Sequence, residues 1–143
     1  AKQVGVARWA LFASPDYLAS ATAIDAPQAL RHHACLQFTP LGKEAWVLHD
    51  GAANSVTVSL ARQTLINDVG LIMTMVSAGG GVALLPSYLC RQACDEGRLV
   101  PVLPEWHGKA DPIHIVYPRQ RFMPPRLRAF VDLATLALRQ WLE

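Results

Sequence analysis

The clearest pattern of apolar and polar positions lies between residues 64 and 85. A short apolar segment at Thr64–Ile66 precedes a predicted helix, with Asn67 as its N-cap and Asp68 in its first turn, that runs to about Ala78. Val82–Leu85 is then a continuous apolar run, which is typical of a strand buried on both faces. The order strand, helix, strand predicts a βαβ unit with two parallel strands and a right-handed crossover.

The segments on the carboxyl side of this unit continue the alternation. A helix is predicted over Ser87–Glu96 and a strand over Leu99–Val102, where Pro101 indicates an edge or a departing strand because proline cannot donate to a sheet ladder. The polar stretch Trp106–Pro112 has no apolar period and is predicted to be an irregular linker. A further strand is expected over Ile113–Tyr117.

The segments on the amino side predict strands joined by short polar breaks. Trp9–Ala13 is apolar and precedes Ser14, a good N-cap for a short helix. Ala34–Phe38 predicts another strand. Ala45–His49 and Ser55–Leu60 predict an antiparallel hairpin, because apolar and polar positions alternate in the second segment.

The most regular helical pattern closes the chain after Pro124 and Pro125. Its apolar residues recur at helical spacing and are Leu127, Phe130, Val131, Ala134, Leu138 and Trp141. Together with the strands and helices before it, this helix places the chain in the α/β class with a mixed sheet flanked by helices.

Composition narrows the class of protein. The 143 residues are 52% hydrophobic and 17% charged, which suits one packed domain, or one domain and a fraction of another, and argues against disorder. The net charge is +2 and the basic residues are distributed along the chain, so this segment itself is not expected to bind nucleic acid. Three cysteines without a secretory signal fit a reducing cytoplasm, and no apolar run is long enough to span a membrane.

Three groups of residues resemble metal-binding, redox or phosphate-binding motifs, but in each case the sequence favours a structural role. Cys90 and Cys94 share a helix face without a second pair to complete a zinc site, and His33 and Cys35 lie at a strand entry without a carboxylate partner. The glycines at 79–81 close a helix and precede a strand, whereas a phosphate-binding loop has the opposite order. No catalytic residue, metal site or cofactor is predicted.

A binding site is predicted where strand ends meet a helix start. Phe38 and Thr39 close one strand, and Asn67, Asp68 and Val69 join another to its helix. In open α/β sheets, ligands bind beyond the carboxyl ends of the strands. Backbone amides of the helix start, with the Thr39 hydroxyl and Asn67 amide, would suit a polar group of a ligand, although Asp68 disfavours a strongly anionic one. The alternative is that Asn67 and Asp68 are only caps.

Six segments, in order along nearly the whole chain, resemble the effector-binding domain of LysR-type transcriptional regulators. They are residues 13–18 (ASPDYL), 26–36 (APQALRHHACL), 66–68 (IND), 79–86 (GGGVALLP), 97–106 (GRLVPVLPEW) and 112–118 (PIHIVYP) with 128–132 (RAFVD). Three consecutive glycines depart from the family, which commonly separates them.

The resemblance implies a fold of the type II periplasmic-binding-protein kind, with a small effector between two subdomains. It places residues 14–111 in subdomain II, complete, and residues 1–13 with 112–143 in a partial subdomain I. Ser14, at the first crossing between subdomains, joins the predicted effector-binding residues. The early part of subdomain I and the winged helix-turn-helix DNA reader are expected to be absent, which would expose apolar surface on the last helix.

The leading hypothesis is therefore the effector sensor of a cytoplasmic bacterial transcription regulator. Its implied partners are a small-molecule effector, DNA through the missing helix-turn-helix, and further copies in a dimer or tetramer, with no membrane. The alternatives are a solute-binding module of a transport system and an enzyme.

Overall fold

The structure contains seven strands, which form one mixed sheet, and four α-helices, within residues 1–119 and 121–143, which the computed structural model describes. The strands are β1 (Lys2–Ala13), β2 (Ala34–Phe38), β3 (Ala45–Asp50), β4 (Ser55–Ser59), β5 (Arg62–Ile66), β6 (Val82–Pro86) and β7 (Val100–Ile115). The helices are α1 (Pro15–Ser20), α2 (Val69–Ser77), α3 (Ser87–Asp95) and α4 (Pro125–Leu142), with 3-10 turns at Pro27–His32 and Thr39–Leu41. The strand order is β4-β3-β7-β1-β6-β2-β5. The α/β class is confirmed.

The central strands are buried on both faces of the sheet, as their continuous apolar runs predict. In β6, Val82 and Leu84 belong to one core cluster, which also contains Trp9, Leu11, Trp46 and Leu48. Ala83 and Leu85 belong to a second cluster with Phe12, Leu36, Ile72, Val76 and Cys90. Because neighbouring strand residues point to opposite faces, the two clusters lie on opposite sides of the sheet.

The parallel strands of the predicted βαβ unit are confirmed, with one further strand between them. β2 pairs in parallel with β5 on one side and with β6 on the other, so β5 and β6 run in the same direction. The predicted hairpin is also confirmed, since β3 and β4 pair in antiparallel register from Ala45–Ser59 to His49–Ser55. Its turn is closed by Asp50, whose carboxylate accepts hydrogen bonds from the backbone N–H groups of Ala52 and Asn54.

The predicted linker at Trp106–Pro112 is wrong. These residues belong to β7, which lies between β3 and β1 in the sheet, so of the two alternatives expected from Pro101, an edge or a departing strand, the edge is not found. The polar composition reflects alternation: His107 and Lys109 are exposed, while Gly108 between them is buried. Near Pro101 the strand departs from regular geometry at Leu103, whose φ is 49°.

The chain divides into two compact units, one formed by residues 8–109 and the other by residues 1–7 with 110–143. β1 and β7 each contribute residues to both units. The subdomain bounds expected from the family resemblance, 14–111 and 1–13 with 112–143, stay a prediction.

In the smaller unit, α4 buries only part of its apolar repeat. Val131 and Thr135 are buried, and the Lys2 ammonium contacts the Asp132 carboxylate at 3.2 Å. Phe130 and Leu133 are 63% and 69% exposed. The expectation of exposed apolar surface on this helix is confirmed. No helix in the described part of the chain has the length and apolar character needed to span a membrane.

Candidate functional site

The carboxyl ends of β2 and β5 lie side by side in the larger unit. The two strands are parallel and paired in register, with Phe38 opposite Ile66. Thr39 and Asn67 follow these residues directly, so both side chains stand at the same edge of the sheet. The structure therefore brings together the two segments in which the sequence predicts a binding site.

Phe38 forms a fixed apolar surface at this edge. Its ring stacks on Trp9, with the ring centroids 5.8 Å apart and the planes 17° from parallel. Phe38 is half-buried and packs against both core clusters, as does Val69 in the first turn of α2. Rings in such a stack have little freedom to turn, so this part of the edge is preorganised.

A buried amide holds the loop after β2 in place. Thr39 begins the 3-10 turn and its carbonyl accepts a hydrogen bond from the Gly42 N–H at 3.1 Å. Gln37 is fully buried; its Nε2 donates to the Gly42 carbonyl at 2.8 Å, and its Oε1 accepts from the Trp46 indole. Sequence reasoning missed Gln37, although a glutamine inside an apolar strand is a signal, because a buried amide needs partners.

Asp68, and not Asn67, is the N-cap of α2. Its carboxylate accepts a hydrogen bond from the Leu71 N–H at 2.8 Å, and the helix begins at Val69. The predicted cap at Asn67 is therefore wrong by one residue: either residue type can cap, and β5 ends only at Ile66. Asn67 is exposed between strand and helix, and the helix start already carries a negative charge beside it.

Ser14 does not lie with the other five predicted residues. It is the N-cap of α1, is 3% exposed, and its Oγ accepts a hydrogen bond from the Tyr17 N–H at 3.1 Å. Phe12 pairs with Ala83 near the amino end of β6, whereas the β2 and β5 segments of the site lie at the carboxyl ends of strands parallel to β6. Ser14 is thus at the opposite edge of the sheet.

A buried histidine network occupies that opposite edge. The Tyr17 hydroxyl accepts from the Ala34 N–H at 3.2 Å and lies 2.8 Å from His33 Nδ1. His33 Nδ1 and the Tyr17 hydroxyl share a hydrogen bond, and Nε2 lies 3.3 Å from the Thr22 hydroxyl, so both ring nitrogens have a polar partner. Burial lowers the pKa of His33, so the ring is neutral at pH 7.

Close backbone packing explains the glycine triplet. Gly79 and Gly81 have φ values of 88° and 139°, and a Cβ on Gly81 would collide with the Ala34 carbonyl oxygen. A Cβ on Gly80 would lie 2.8 Å from the Met75 carbonyl oxygen. The glycines let α2 end and β6 begin against β2, which is a structural role.

The cysteines are also structural. Burial raises the pKa of Cys35 and of Cys90 to about 12, so both thiols are protonated at neutral pH and are poor nucleophiles. Burial raises the pKa of the partly exposed Cys94 as well.

Comparison with known proteins identifies the family. The profile of the LysR substrate binding domain matches residues 1–139. An HTH-type transcriptional repressor of Pseudomonas aeruginosa is 32% identical over 126 residues, covering 85% of this chain and 39% of the relative. The iron-regulated virulence regulatory protein IrgB of Vibrio cholerae is 30% identical over 142 residues, covering 97% of this chain and 46% of the relative. The chain thus spans less than half the length of these curated relatives.

Solved structures agree with this assignment. The regulatory domain of AphB from Vibrio vulnificus superposes with a TM-score of 0.79 at 26% identity, covering 95% of this chain and 68% of that one. The regulatory domain of CrgA from Neisseria meningitidis, a LysR-type transcriptional regulator, gives 0.77 at 28% identity, covering 96% and 68%. The chain belongs to the LysR substrate-binding domain family, the regulatory domains of LysR-type transcription regulators.

Proposed function

We propose that this regulatory domain senses a small-molecule effector at the edge formed by the carboxyl ends of β2 and β5. The observation that carries the proposal is the parallel register that sets Phe38 opposite Ile66, so that Thr39 and Asn67 stand together. Ligands of open α/β sheets bind at such strand ends. Ser14, at the other edge, is left with its capping role.

The side chains at this edge favour an effector with both apolar and neutral polar groups. Phe38 and Val69 offer apolar surface, while the Thr39 hydroxyl and the Asn67 amide can each donate and accept hydrogen bonds. The Asp68 carboxylate already occupies the start of α2, where an anionic group of a ligand would otherwise bind. The edge therefore suits a hydroxyl, amide or amino group better than a carboxylate.

In the whole protein, we propose that effector binding biases a regulator that binds DNA through a winged helix-turn-helix domain outside this chain and acts as a dimer or tetramer in the cytoplasm. The shift in DNA binding cannot exceed the effector's difference in affinity for the two states of the regulator. Catalysis has no part in this proposal. The solute-transport alternative is not favoured, because the relatives named above are transcription regulators.

A thermal-shift screen of the complete regulator against small metabolites tests the proposal. A true effector raises the melting temperature in a concentration-dependent way, since it binds the folded state. The screen includes aromatic, amino-acid and carboxylate compounds together with neutral alcohols, amides and amines, and a result in which no compound stabilises the regulator would contradict effector sensing.

The Thr39→Ala and Asn67→Ala variants test the placement. Each removes one hydrogen-bonding group at the edge, and we expect each to weaken the affinity for the hit about fivefold or more with little loss of stability, because a net hydrogen bond contributes about 1 kcal/mol. Thr57→Ala, at an exposed position of β4, is the matched control and leaves the affinity unchanged. Normal binding by both edge variants would move the site elsewhere while leaving the family assignment intact.

A further inference from the structure

Two histidines face each other across neighbouring strands, away from the proposed effector site. β3 and β7 pair in antiparallel register with His49 opposite His107, and the ring centroids are 6.2 Å apart at a tilt of 34°. Trp46 and Leu48 of β3 point into the first core cluster, and Trp106 packs against the same cluster. Because strand side chains alternate, both imidazoles lie on the opposite, solvent-facing side.

The hydrogen bonding of His107 presents a metal-binding nitrogen. Its Nδ1 lies 2.8 Å from the Gly108 carbonyl oxygen, which can only accept, so Nδ1 carries the proton and Nε2 keeps its lone pair. A ring N–H bonded to a backbone carbonyl is the arrangement that orients histidines bound to metal ions. The His49 ring forms no hydrogen bond with the described residues, so its nitrogens are also available.

The turn beside the histidine pair holds a carboxylate in a fixed position. The Asp50 side chain, which follows His49 in the chain, accepts hydrogen bonds from the side-chain and backbone N–H groups of Asn54 and from the Ala52 N–H. On the same side of β7 as His107, Glu105 and Lys109 carry opposite charges.

We propose that His49 and His107 form a two-imidazole site for one divalent transition-metal ion of the Zn²⁺ and Ni²⁺ class. Imidazole nitrogen suits these ions, and each binds at about 2.0–2.1 Å from the nitrogen. Rotation of the His49 ring about its χ angles can bring it closer to His107, whose ring stays oriented by its hydrogen bond to Gly108. Within the described residues no three His, Cys, Asp or Glu side chains are grouped to hold a metal, so water completes the coordination. An ion bound here ties β3 to β7.

Isothermal titration calorimetry of the full chain with NiCl2 tests the site. We expect saturation at one ion per chain, and we expect His49→Gln and His107→Gln each to weaken binding at least about tenfold, since each removes one of the two protein ligands. His32→Gln, which replaces an exposed histidine outside the pair, is the matched control and leaves the affinity unchanged. Thermal unfolding of each variant shows that the fold is kept.

Three results would overturn the proposal. The first is no heat of binding with Ni²⁺ or with Zn²⁺. The second is equal affinity in the wild type and both variants of the pair. The third is equal binding of Mg²⁺, which prefers oxygen ligands and would indicate a carboxylate site instead.

Discussion

At the scale of single residues, conformational freedom is needed most clearly at Gly81. The residue is buried where β6 begins, has a φ of 139°, and leaves no room for a Cβ beside the Ala34 carbonyl. We expect Gly81→Ala to lower the free energy of unfolding by about 1–3 kcal/mol or more, from backbone strain alone. Gly51→Ala is the control, because no atom lies within 4 Å of its Cβ position and its φ is not in the left-handed region. Urea denaturation compares the two, and equal stability would contradict the packing described.

Because His33 is buried, we expect the stability of the fold to depend on pH. Burial lowers its pKa in the folded state, whereas the unfolded chain takes up a proton near pH 6.5. The unfolded state then binds more protons, so this contribution to stability is complete above about pH 6.5 and decreases as the pH falls toward the folded-state pKa. Urea denaturation between about pH 7.5 and pH 5 should show that the free energy of unfolding falls more steeply with decreasing pH for the wild type than for His33→Gln. His114→Gln, at an exposed position, should keep the wild-type slope; identical slopes in all three proteins would contradict a neutral, buried His33.

At the scale of secondary-structure elements, the neighbouring polar residues Asn67 and Asp68 have different roles at the start of α2. Asp68 caps the helix through the Leu71 N–H, and Asn67 makes no such bond. We expect Asp68→Ala to cost about 1 kcal/mol of stability, the usual cost of losing an N-cap. Asn67→Ala should cost only a few tenths, as surface changes usually do. Equal losses in chemical denaturation would show that the two residues share the cap.

Strong local signals made much of the fold predictable. The bounds of β2 were predicted correctly, and so was the cap of α1 at Ser14, because proline and a capping residue define a helix start by local chemistry. β7 was broken in the prediction at Trp106–Pro112 because its polar residues face solvent on one side of a central strand. In a single sequence, an alternation of polar and apolar residues that prolines interrupt is weak evidence for a strand. Whether such a segment forms a strand depends on its pairing with strands that are far away in the chain.

The proposed site shows the same difference between features that local sequence predicts and features that depend on strand pairing. That Phe38 and Asn67 mark strand ends could be inferred from the sequence, but their register depends on the pairing of β2 with β5. Gln37 and the His49–His107 pair were missed because each depends on a partner from another strand. Ser14 was grouped with the site through the family resemblance, and only the sheet topology places it at the other edge.

At the scale of the whole molecule, the chain combines a larger unit with a two-sided core and a smaller unit whose helix α4 exposes apolar side chains. The chain covers 39% and 46% of two regulators that it resembles. Its own residues thus account for one part of a regulator, and the effector edge lies entirely within the unit of residues 8–109.

The central claim is that an effector binds at the carboxyl ends of β2 and β5, and amide chemical shifts of the chain during titration with a stabilising compound test it most directly. The account predicts that the largest shifts fall in residues 38–42 and 66–71, with smaller changes around Ser14 at the opposite edge. Saturable shifts confined to other residues, with both of these segments unmoved, would contradict it.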